Sequence, residues 1–305
     1  MRHFLSLSDL SADQASQILQ LAVELKERWQ QGETVGQMAG RTLAMLFQKP
    51  SLRTRVSFEA GVNQLGGKSV FLGEDAGWGK RESIKDFSEV LSAYVDVIAC
   101  RARSHQDVIK LAEYASCPVI NALTDFCHPC QAMADLMTIH EINGGLEGQH
   151  LAFVGDANNV ARSLATACGL LGVSMTIASP LEYCFDSAFM EQCQQQFPEL
   201  DFRQTDDPRE AVRGATAVYT DVWASMGQEK EEKIRIRDFA DYQVNAALMK
   251  EACDDAIFLH CLPARRGQEV TDEVMDGSQS RVIQQAENRM HLQKGLLVWL
   301  LDHQV

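Results

Sequence analysis

The stretch that decides the fold lies near the start of the chain, where residues 41–65 read RTLAMLFQKPSLRTRVSFEAGVNQL. The apolar run Arg41–Phe47 has the length and composition of a buried strand, whereas Thr54–Leu65 is amphipathic with a helical period. The passage therefore predicts a strand that leads directly into a helix.

The same alternation of apolar runs and amphipathic stretches continues along the chain, which predicts parallel strands joined by crossover helices. In the first half the further predicted strands are Ser69–Leu72, Val97–Cys100 and Val119–Leu123, with helices at Ser83–Tyr94 and Gln106–Ala115. In the second half the predicted strands are Leu151–Val154, Ser174–Ala178, Ala215–Thr220 and Ala256–Leu259. An opening helix is predicted from Ser11 to Gln31, because Ser11 followed by Gln14 forms a capping-box pattern.

The length of 305 residues suits two domains of about 150 residues each. The turn-rich sequence NGGLEG at residues 143–148 favours a boundary there. We expect a first domain at 1–145, a second at 146–285, and a C-terminal helix at 286–305 that packs back on the first domain. The predicted fold is α/β, with two doubly wound parallel-sheet domains and an amphipathic last helix at Gln285–Leu301, and ligands are expected at the carboxyl ends of the strands.

Composition excludes several classes of protein. Hydrophobic residues make up 46% and charged residues 23%, as in a soluble globular enzyme, and no apolar run approaches the roughly 20 residues of a membrane span. The start of the chain has no secretory signal pattern, and nine scattered cysteines favour a reducing cytoplasm over a disulfide framework. The net charge of −14 argues against nucleic acid or anionic membrane as a partner. An anionic substrate would therefore need cations that are concentrated locally.

Such a concentration follows the first predicted strand, in the sequence Phe47–Arg55. Ser51, Arg53, Thr54 and Arg55 fall at the start of a predicted helix, where free backbone N–H groups and the positive end of the helix dipole converge. Two guanidiniums and two hydroxyls at that point indicate a site for a phosphate dianion. The alternative is a solvated basic first turn, which is unfavourable because cations at a helix N-terminus need an anion beside them.

Five segments carry a resemblance to a known family. The segment Ser51–Arg55 resembles the Ser-x-Arg-Thr-Arg carbamoyl phosphate motif of the aspartate and ornithine carbamoyltransferases, with Leu52 where Thr is frequent. The segment HPCQ at 128–131 resembles the family's His-Pro-x-Gln segment. The segments DVWASMG at 221–227, HCLP at 260–263 and AENR at 286–289 are similar to motifs of the ornithine branch. With the N-terminal FLSL at residues 4–7, the resemblance covers essentially the whole chain.

The resemblance implies transfer of a carbamoyl group from carbamoyl phosphate to the side-chain amine of L-ornithine, without a metal or organic cofactor. It implies catalytic roles for Arg101, His128, Asp221 and Cys261. The implied carbamoyl phosphate contacts are Ser51, Leu52, Arg53, Thr54, Arg101, His128, Gln131, Cys261, Leu262 and Arg289. The implied ornithine contacts are Asn159, Asp221, Ser225 and Met226. Thr54, Arg101 and His128 would donate to the tetrahedral oxyanion, and Gln131 would contact the carbamoyl nitrogen.

The resemblance also implies a homotrimer or a multiple of trimers, in which the loop matching Glu74–Ser83 reaches a neighbouring subunit's phosphate. Many relatives have Gln or His two residues before the glycine that matches Gly79, but this chain has Gly77. Either Lys80 or Arg81 supplies the missing contact, or the subunit's own Ser51, Arg53 and Thr54 hold the phosphate. We expect the first.

Several alternatives stay open. Cys127-x-x-Cys130 also fits half of a zinc site or a redox pair, and the Gly155 segment after a strand suggests a Rossmann phosphate loop, although the further glycines are missing. Arg265 and Arg266 are similar to the N-acyl-ornithine branch, which has a lysine where this chain has Glu269. A non-catalytic carbamoyltransferase-like subunit is the remaining alternative. The intact set of donors argues against it, because a protein that only binds has no need of oxyanion donors.

Overall fold

The structure is a computed structural model that describes residues 2–224 and 228–302. The chain forms two compact units, one made of Met1–Met137 and Glu287–Val305 and the other of Thr138–Ala286. Each unit contains one parallel sheet with helices packed around it. In the part of the chain that is described, no helix is long and apolar enough to cross a membrane.

The sheet of the first unit has the strand order β2-β1-β3-β4, and all of its neighbouring strands are parallel. Its strands are β1 (Thr42–Phe47), β2 (Lys68–Leu72), β3 (Val97–Arg101) and β4 (Val119–Leu123). Its helices are α1 (Ala12–Gln30), α2 (Leu52–Gln64), α3 (Ile84–Tyr94), α4 (His105–Tyr114) and the beginning of α5 (Pro129–Asn143). Phe47 lies beside Arg101 in the register, so the carboxyl ends of β1 and β3 lie side by side.

The sheet of the second unit has the strand order β7-β6-β5-β8-β9 and is also parallel throughout. Its strands are β5 (His150–Val154), β6 (Ser174–Ala178), β7 (Phe202–Thr205), β8 (Ala217–Thr220) and β9 (Ile257–His260). The helices are α6 (Asn159–Leu171), α7 (Ser187–Gln196), α8 (Pro208–Val212), α9 (Glu232–Asp238), α10 (Ala246–Met249), α11 (Asp272–Met275) and the start of α12 (Val282–Leu301). Thr220 lies beside His260, which brings the carboxyl ends of β8 and β9 together.

The predicted elements agree closely with these bounds. Every predicted strand lies within two residues of an observed one, and the capping box of Ser11 and Gln14 forms at the start of α1. The α/β prediction with two doubly wound parallel sheets is confirmed. The sequence did not predict β7, because its four residues FRQT lie at a sheet edge and are only partly buried, without a continuous apolar run.

The prediction of an amphipathic C-terminal helix is wrong for its last three turns, because residues 291–301 are all buried. This part of α12 packs within the first unit, where Lys294 donates to the Gln64 side chain at 3.0 Å. Gly295 is needed there, since a Cβ atom on it would lie 2.7 Å from the backbone nitrogen of Ala22. The helix therefore contributes polar side chains to the interior of the unit.

Candidate functional site

One candidate site lies in the first unit, where β1 leads into α2. Ser51 caps the helix with its hydroxyl, which accepts the backbone N–H of Thr54 at 3.3 Å. The first turn carries no acidic side chain, so the positive end of the helix dipole is not offset from within the turn. Arg53 is partly buried in this turn, whereas the Leu52 side chain is 76% exposed. Arg55 points its guanidinium at Glu59 and at the ring of Phe71.

Two buried arginines converge on the Thr54 hydroxyl. Arg289 on α12 donates to Thr54 Oγ1 at 2.8 Å, and Arg101 at the end of β3 donates to the same oxygen at 3.4 Å. Both arginine side chains are nearly inaccessible to solvent. Guanidinium groups gathered at a helix N-terminus form a strong anion-binding arrangement, especially in a protein whose net charge is −14.

His128 completes this group just before α5. Burial lowers its pKa well below the usual value, and the positive charges of Arg289 and Arg101 lower it further. The imidazole is therefore neutral near pH 7 and retains one N–H for hydrogen bonding. Thr54, Arg101, His128 and Arg289 are called the guanidinium site below.

Gln131 follows in the first turn of α5 and is 1% exposed. Its Nε2 donates to Asp135 Oδ1 at 2.7 Å, one helical turn further along. Its Oε1 is buried and has no hydrogen-bond partner among the described residues. Asp135 was not predicted as a site residue, although a carboxylate four residues after a site residue on a helix is a recognisable pairing.

The thiols of the Cys-x-x-Cys segment do not resemble a metal or redox pair. Both are buried, and burial raises the pKa of Cys127 and that of Cys130 to about 12. Cys127 Sγ contacts the Leu5 carbonyl oxygen at 3.5 Å, and Cys130 Sγ contacts the Asn121 carbonyl oxygen at 3.6 Å. Since the thiolate is the reactive and metal-binding form, these thiols are inert near neutral pH.

The loop at residues 74–83 also belongs to the first unit. Gly77 has a φ of 75°, and a Cβ atom on it would lie 2.9 Å from Cδ of Arg81. The Arg81 side chain thus passes through the space that a side chain at position 77 would need. Trp78 is buried and packs near Phe87, which anchors the middle of the loop. Lys80 is exposed.

Another candidate site lies in the second unit, at the carboxyl ends of β8 and β9. Cys261 Sγ donates to Asp221 Oδ1 at 3.2 Å, and the backbone N–H of Val222 donates to the same oxygen at 2.8 Å. Asn158 Nδ2 donates to the other oxygen of Asp221 at 2.9 Å. Asp221 is 7% exposed and Cys261 is partly exposed. Asn158, Asp221 and Cys261 are called the carboxylate site below.

Asn158 was not predicted as a site residue, whereas its neighbour Asn159 was. Its side-chain oxygen caps α6 by accepting from Val160 and Ala161, while its nitrogen holds Asp221. Asn159 is the first residue of α6 and is partly buried. Ser225 and Met226, the other expected ornithine contacts, lie outside the described residues.

A buried pair supports the segment that carries Cys261. His260 Nδ1 accepts the backbone N–H of Leu262 at 2.9 Å, so the ring hydrogen of a neutral imidazole is on Nε2, which lies 3.1 Å from Glu269 Oε1. Glu269 Oε1 also accepts from the backbone N–H of Arg265. Leu262 has a φ of 58°, unusual for a side chain of its kind, and the network holds it there.

Asp221, His260 and Cys261 offer ligand atoms that lie within 4.8 Å of one another, a donor set of the kind that zinc prefers. Both nitrogens of the His260 ring already make hydrogen bonds, however. Metal binding would therefore require the ring to give up one of these bonds, and it would disturb the segment that holds Leu262.

The two arginines of the N-acyl-ornithine alternative are bound to carboxylates. Arg265 pairs with Glu232. Arg266 donates to Asp272 and Asp276, each at 2.7 Å, and these carboxylates raise its pKa above the usual value. Neither guanidinium is arranged to meet an acylated substrate without first releasing a carboxylate.

Comparison with known proteins adds independent findings. Two family descriptions match, the carbamoyl-P binding domain of aspartate/ornithine carbamoyltransferase at residues 2–141 and the Asp/Orn binding domain at residues 147–300. The ornithine carbamoyltransferase of Anoxybacillus flavithermus is 50% identical over 98% of this chain and 96% of its own length. That of Bacillus subtilis is 49% identical over 98% of this chain and 94% of its own length.

Solved structures show the same similarity. The ornithine carbamoyltransferase from Pyrococcus furiosus superposes with a TM-score of 0.96 at 46% identity, covering 99% of this chain and 97% of the other. An anabolic ornithine carbamoyltransferase from Campylobacter jejuni has a TM-score of 0.93 at 36% identity and covers all of both chains.

Proposed function

Since the chain belongs to the aspartate/ornithine carbamoyltransferase family, we propose that it transfers the carbamoyl group of carbamoyl phosphate to the side-chain amine of L-ornithine. The products are citrulline and phosphate. The observation that carries the proposal is the convergence of Arg101 and Arg289 on Thr54 at the start of a helix. The relatives at 49–50% identity that are named ornithine carbamoyltransferases support the choice of amine substrate.

The phosphate dianion would bind at the start of α2. Ser51, Arg53 and Thr54 offer hydroxyls, a guanidinium and backbone N–H groups in one helical turn. Leu52 contributes its backbone N–H, because its side chain is exposed. Arg101 and Arg289 add charge-assisted donors from β3 and α12. The same groups would hold the departing phosphate.

Attack on the carbamoyl carbon produces a tetrahedral oxyanion, which needs donors aimed at its oxygen. Thr54, Arg101 and the neutral imidazole of His128 are the proposed donors. Since Thr54 Oγ1 accepts from both arginines, its hydroxyl hydrogen can point elsewhere. Gln131 would accept from the carbamoyl nitrogen through Oε1.

The amine must lose a proton before it attacks, and a free alkyl ammonium has a pKa near ~10. We assign that task to the carboxylate site, where Asp221 would bind the cation and accept its proton. Cys261 orients Asp221 through their hydrogen bond. The α-amino and α-carboxylate groups of ornithine are assigned to Asn159, Asp221, Ser225 and Met226. Backbone groups of Cys261 and Leu262 are assigned to the carbamoyl group. No step needs a metal or an organic cofactor.

We further propose a homotrimer, or a multiple of trimers, in which the loop at residues 74–83 contacts a neighbouring subunit's phosphate. Arg81 is the preferred donor over Lys80, because its side chain already occupies the space beside Gly77. Sedimentation that shows an active monomer would contradict this assembly.

We also propose that the protein works in the cytoplasm, in arginine biosynthesis. All nine cysteines are free thiols, which supports a reducing cytoplasmic location. A role in arginine biosynthesis is supported by the similarity to an enzyme described as anabolic.

One assay tests the function directly. Carbamoyl phosphate is offered with ornithine, N-acetylornithine, putrescine and aspartate in parallel, and the ureido product is measured. Ornithine is expected to be used far faster than the others. Faster use of N-acetylornithine would support the N-acyl-ornithine alternative, and no product from any amine would support the non-catalytic one.

A further inference from the structure

The hydrogen bond between Gln131 and Asp135 fixes the orientation of the Gln131 amide group. An amide group presents a donor on one side and an acceptor on the other, so a rotation by half a turn exchanges them. A carboxylate only accepts hydrogen bonds, and the 2.7 Å separation from Nε2 to Oδ1 is in the range of charge-assisted bonds. Asp135 therefore holds the nitrogen of Gln131 toward itself and turns the oxygen away.

The oxygen turned away has no hydrogen-bond partner among the described residues, although both side chains are essentially inaccessible to solvent. A buried acceptor without a donor is unfavourable. A ligand that brings an N–H group would remove that cost, whereas a ligand with a methyl group at the same place would leave it.

The position of Gln131 indicates which kind of ligand could bring such an N–H group. Its backbone N–H contacts the His128 carbonyl oxygen at 3.1 Å, and the preceding residue, Cys130, lies within the electrostatic reach of Arg289. The acceptor thus belongs to the neighbourhood of the guanidinium site. A small anion with an amide beside its phosphate offers an N–H donor at that point, as carbamoyl phosphate does.

We propose that Asp135 is a positioning residue that orients the Gln131 amide, so that the site selects an acyl phosphate carrying NH₂ over one carrying a methyl group. This inference rests on the proposed function, because it needs carbamoyl phosphate as the ligand. It concerns Asp135, which acts through Gln131 and does not touch the substrate.

The test uses two unreactive probes that differ only at this point. Phosphonoacetamide carries NH₂, and acetonylphosphonate carries CH₃ in its place. Calorimetry on the full chain gives the ratio of their affinities. In Asp135→Asn, which has the same size, the new amide can either accept from Gln131 or donate to it, so both orientations of Gln131 become possible. The preference for phosphonoacetamide is expected to fall at least about tenfold.

A double-mutant cycle separates positioning from packing. Gln131→Leu is expected to abolish the preference for phosphonoacetamide over acetonylphosphonate. Adding Asp135→Asn to this variant should then change the ratio of affinities no further. Thr138→Val, a buried polar change later on the same helix, is the matched control and should leave the ratio unchanged. If Asp135→Asn does not fold, Asp135→Ser serves, because a hydroxyl also accepts or donates.

The outcomes are distinct. A fall in the ratio that depends on Gln131 supports the inference. A parallel loss of affinity for both probes with an unchanged ratio overturns it, while the proposed function stands on the parent's binding and turnover. If the parent binds neither probe and forms no ureido product, the proposed function fails, and the role of Asp135 fails with it.

Discussion

The two candidate sites, one in each unit, differ in the sign of their charge and in how their charged groups are held. The guanidinium site gathers two buried cations around one hydroxyl, with a neutral histidine beside them. The carboxylate site holds one anion by a thiol, an amide and a backbone N–H. A buried charge is costly unless a partner of opposite sign is present. By the sign of its charge, the guanidinium site suits a phosphate dianion and the carboxylate site suits an ammonium group.

The largest effect is expected from Arg101→Met. Loss of a desolvated charge-assisted contact costs roughly 2–5 kcal/mol, so carbamoyl phosphate affinity should fall by at least some thirtyfold. Calorimetry measures the affinity, and thermal unfolding checks the fold. Arg103→Met, an exposed arginine that pairs with Glu74, is the matched control and should bind almost normally. Equal losses in both variants would mean that general charge, not the guanidinium site, attracts the ligand.

Asp221→Asn should impair the reaction without impairing the binding of carbamoyl phosphate. Activity is expected to fall about a hundredfold, the scale of a lost proton acceptor, with carbamoyl phosphate affinity nearly unchanged. Steady-state rates measure the activity, and calorimetry measures the carbamoyl phosphate affinity. Asp186→Asn is the control, because Asp186 caps α7 and Asn caps equally well. Activity of Asp221→Asn within about twofold of the parent would contradict its role.

The histidines permit a comparison of the units by pH. Burial lowers the pKa of His128 and that of His150, so below pH ~6.5 the unfolded chain binds protons that the folded chain does not. Stability from these groups is therefore complete above that pH and declines as the pH falls, by at most about 1.4 kcal/mol per pH unit for each.

His128→Asn should flatten the decline in unfolding free energy between pH 7 and pH 5. The reduction should exceed that in His150→Asn, because two arginines lower the pKa of His128 further while Asp201 opposes the shift of His150. Urea unfolding across this pH range measures both. Identical pH profiles for the parent and His128→Asn would show that this imidazole is not held neutral.

The smallest effect is expected in the loop. Arg81→Ala should weaken carbamoyl phosphate binding by about 1 kcal/mol, some fivefold, whereas Lys80→Ala should have less effect because only Arg81 packs beside Gly77. Calorimetry on the assembled protein measures the carbamoyl phosphate affinity of both variants. If neither variant weakens binding to that extent, the phosphate is held by Ser51, Arg53 and Thr54 alone.

Local sequence patterns predicted most of the strands and two of the helix starts. The apolar runs predicted all but one strand. Most of these strands are buried along their length and are therefore apolar throughout, and the edge strand β2, although partly exposed, still carries the apolar run Val70–Leu72. Ser51 and Ser11 were placed correctly at helix starts, since capping depends on residues three apart. The edge strand β7 was not predicted, because three of its four residues, FRQT, are polar and it contains no apolar run.

The sequence by itself determined which chemistry the chain offers: a basic helix start, a His-Pro-Cys-Gln segment and an Asp and Cys that follow strands. Only the tertiary structure decided which groups meet. Arg289 reaches Thr54 across 235 residues of chain, and Asn158 contacts Asp221 across 63 residues. Such pairings depend on the order of strands in a sheet and on how α12 packs, and no local pattern encodes them. The orientation of the Gln131 amide is decided in the same way, because it follows from a buried carboxylate whose burial only the packed helix creates.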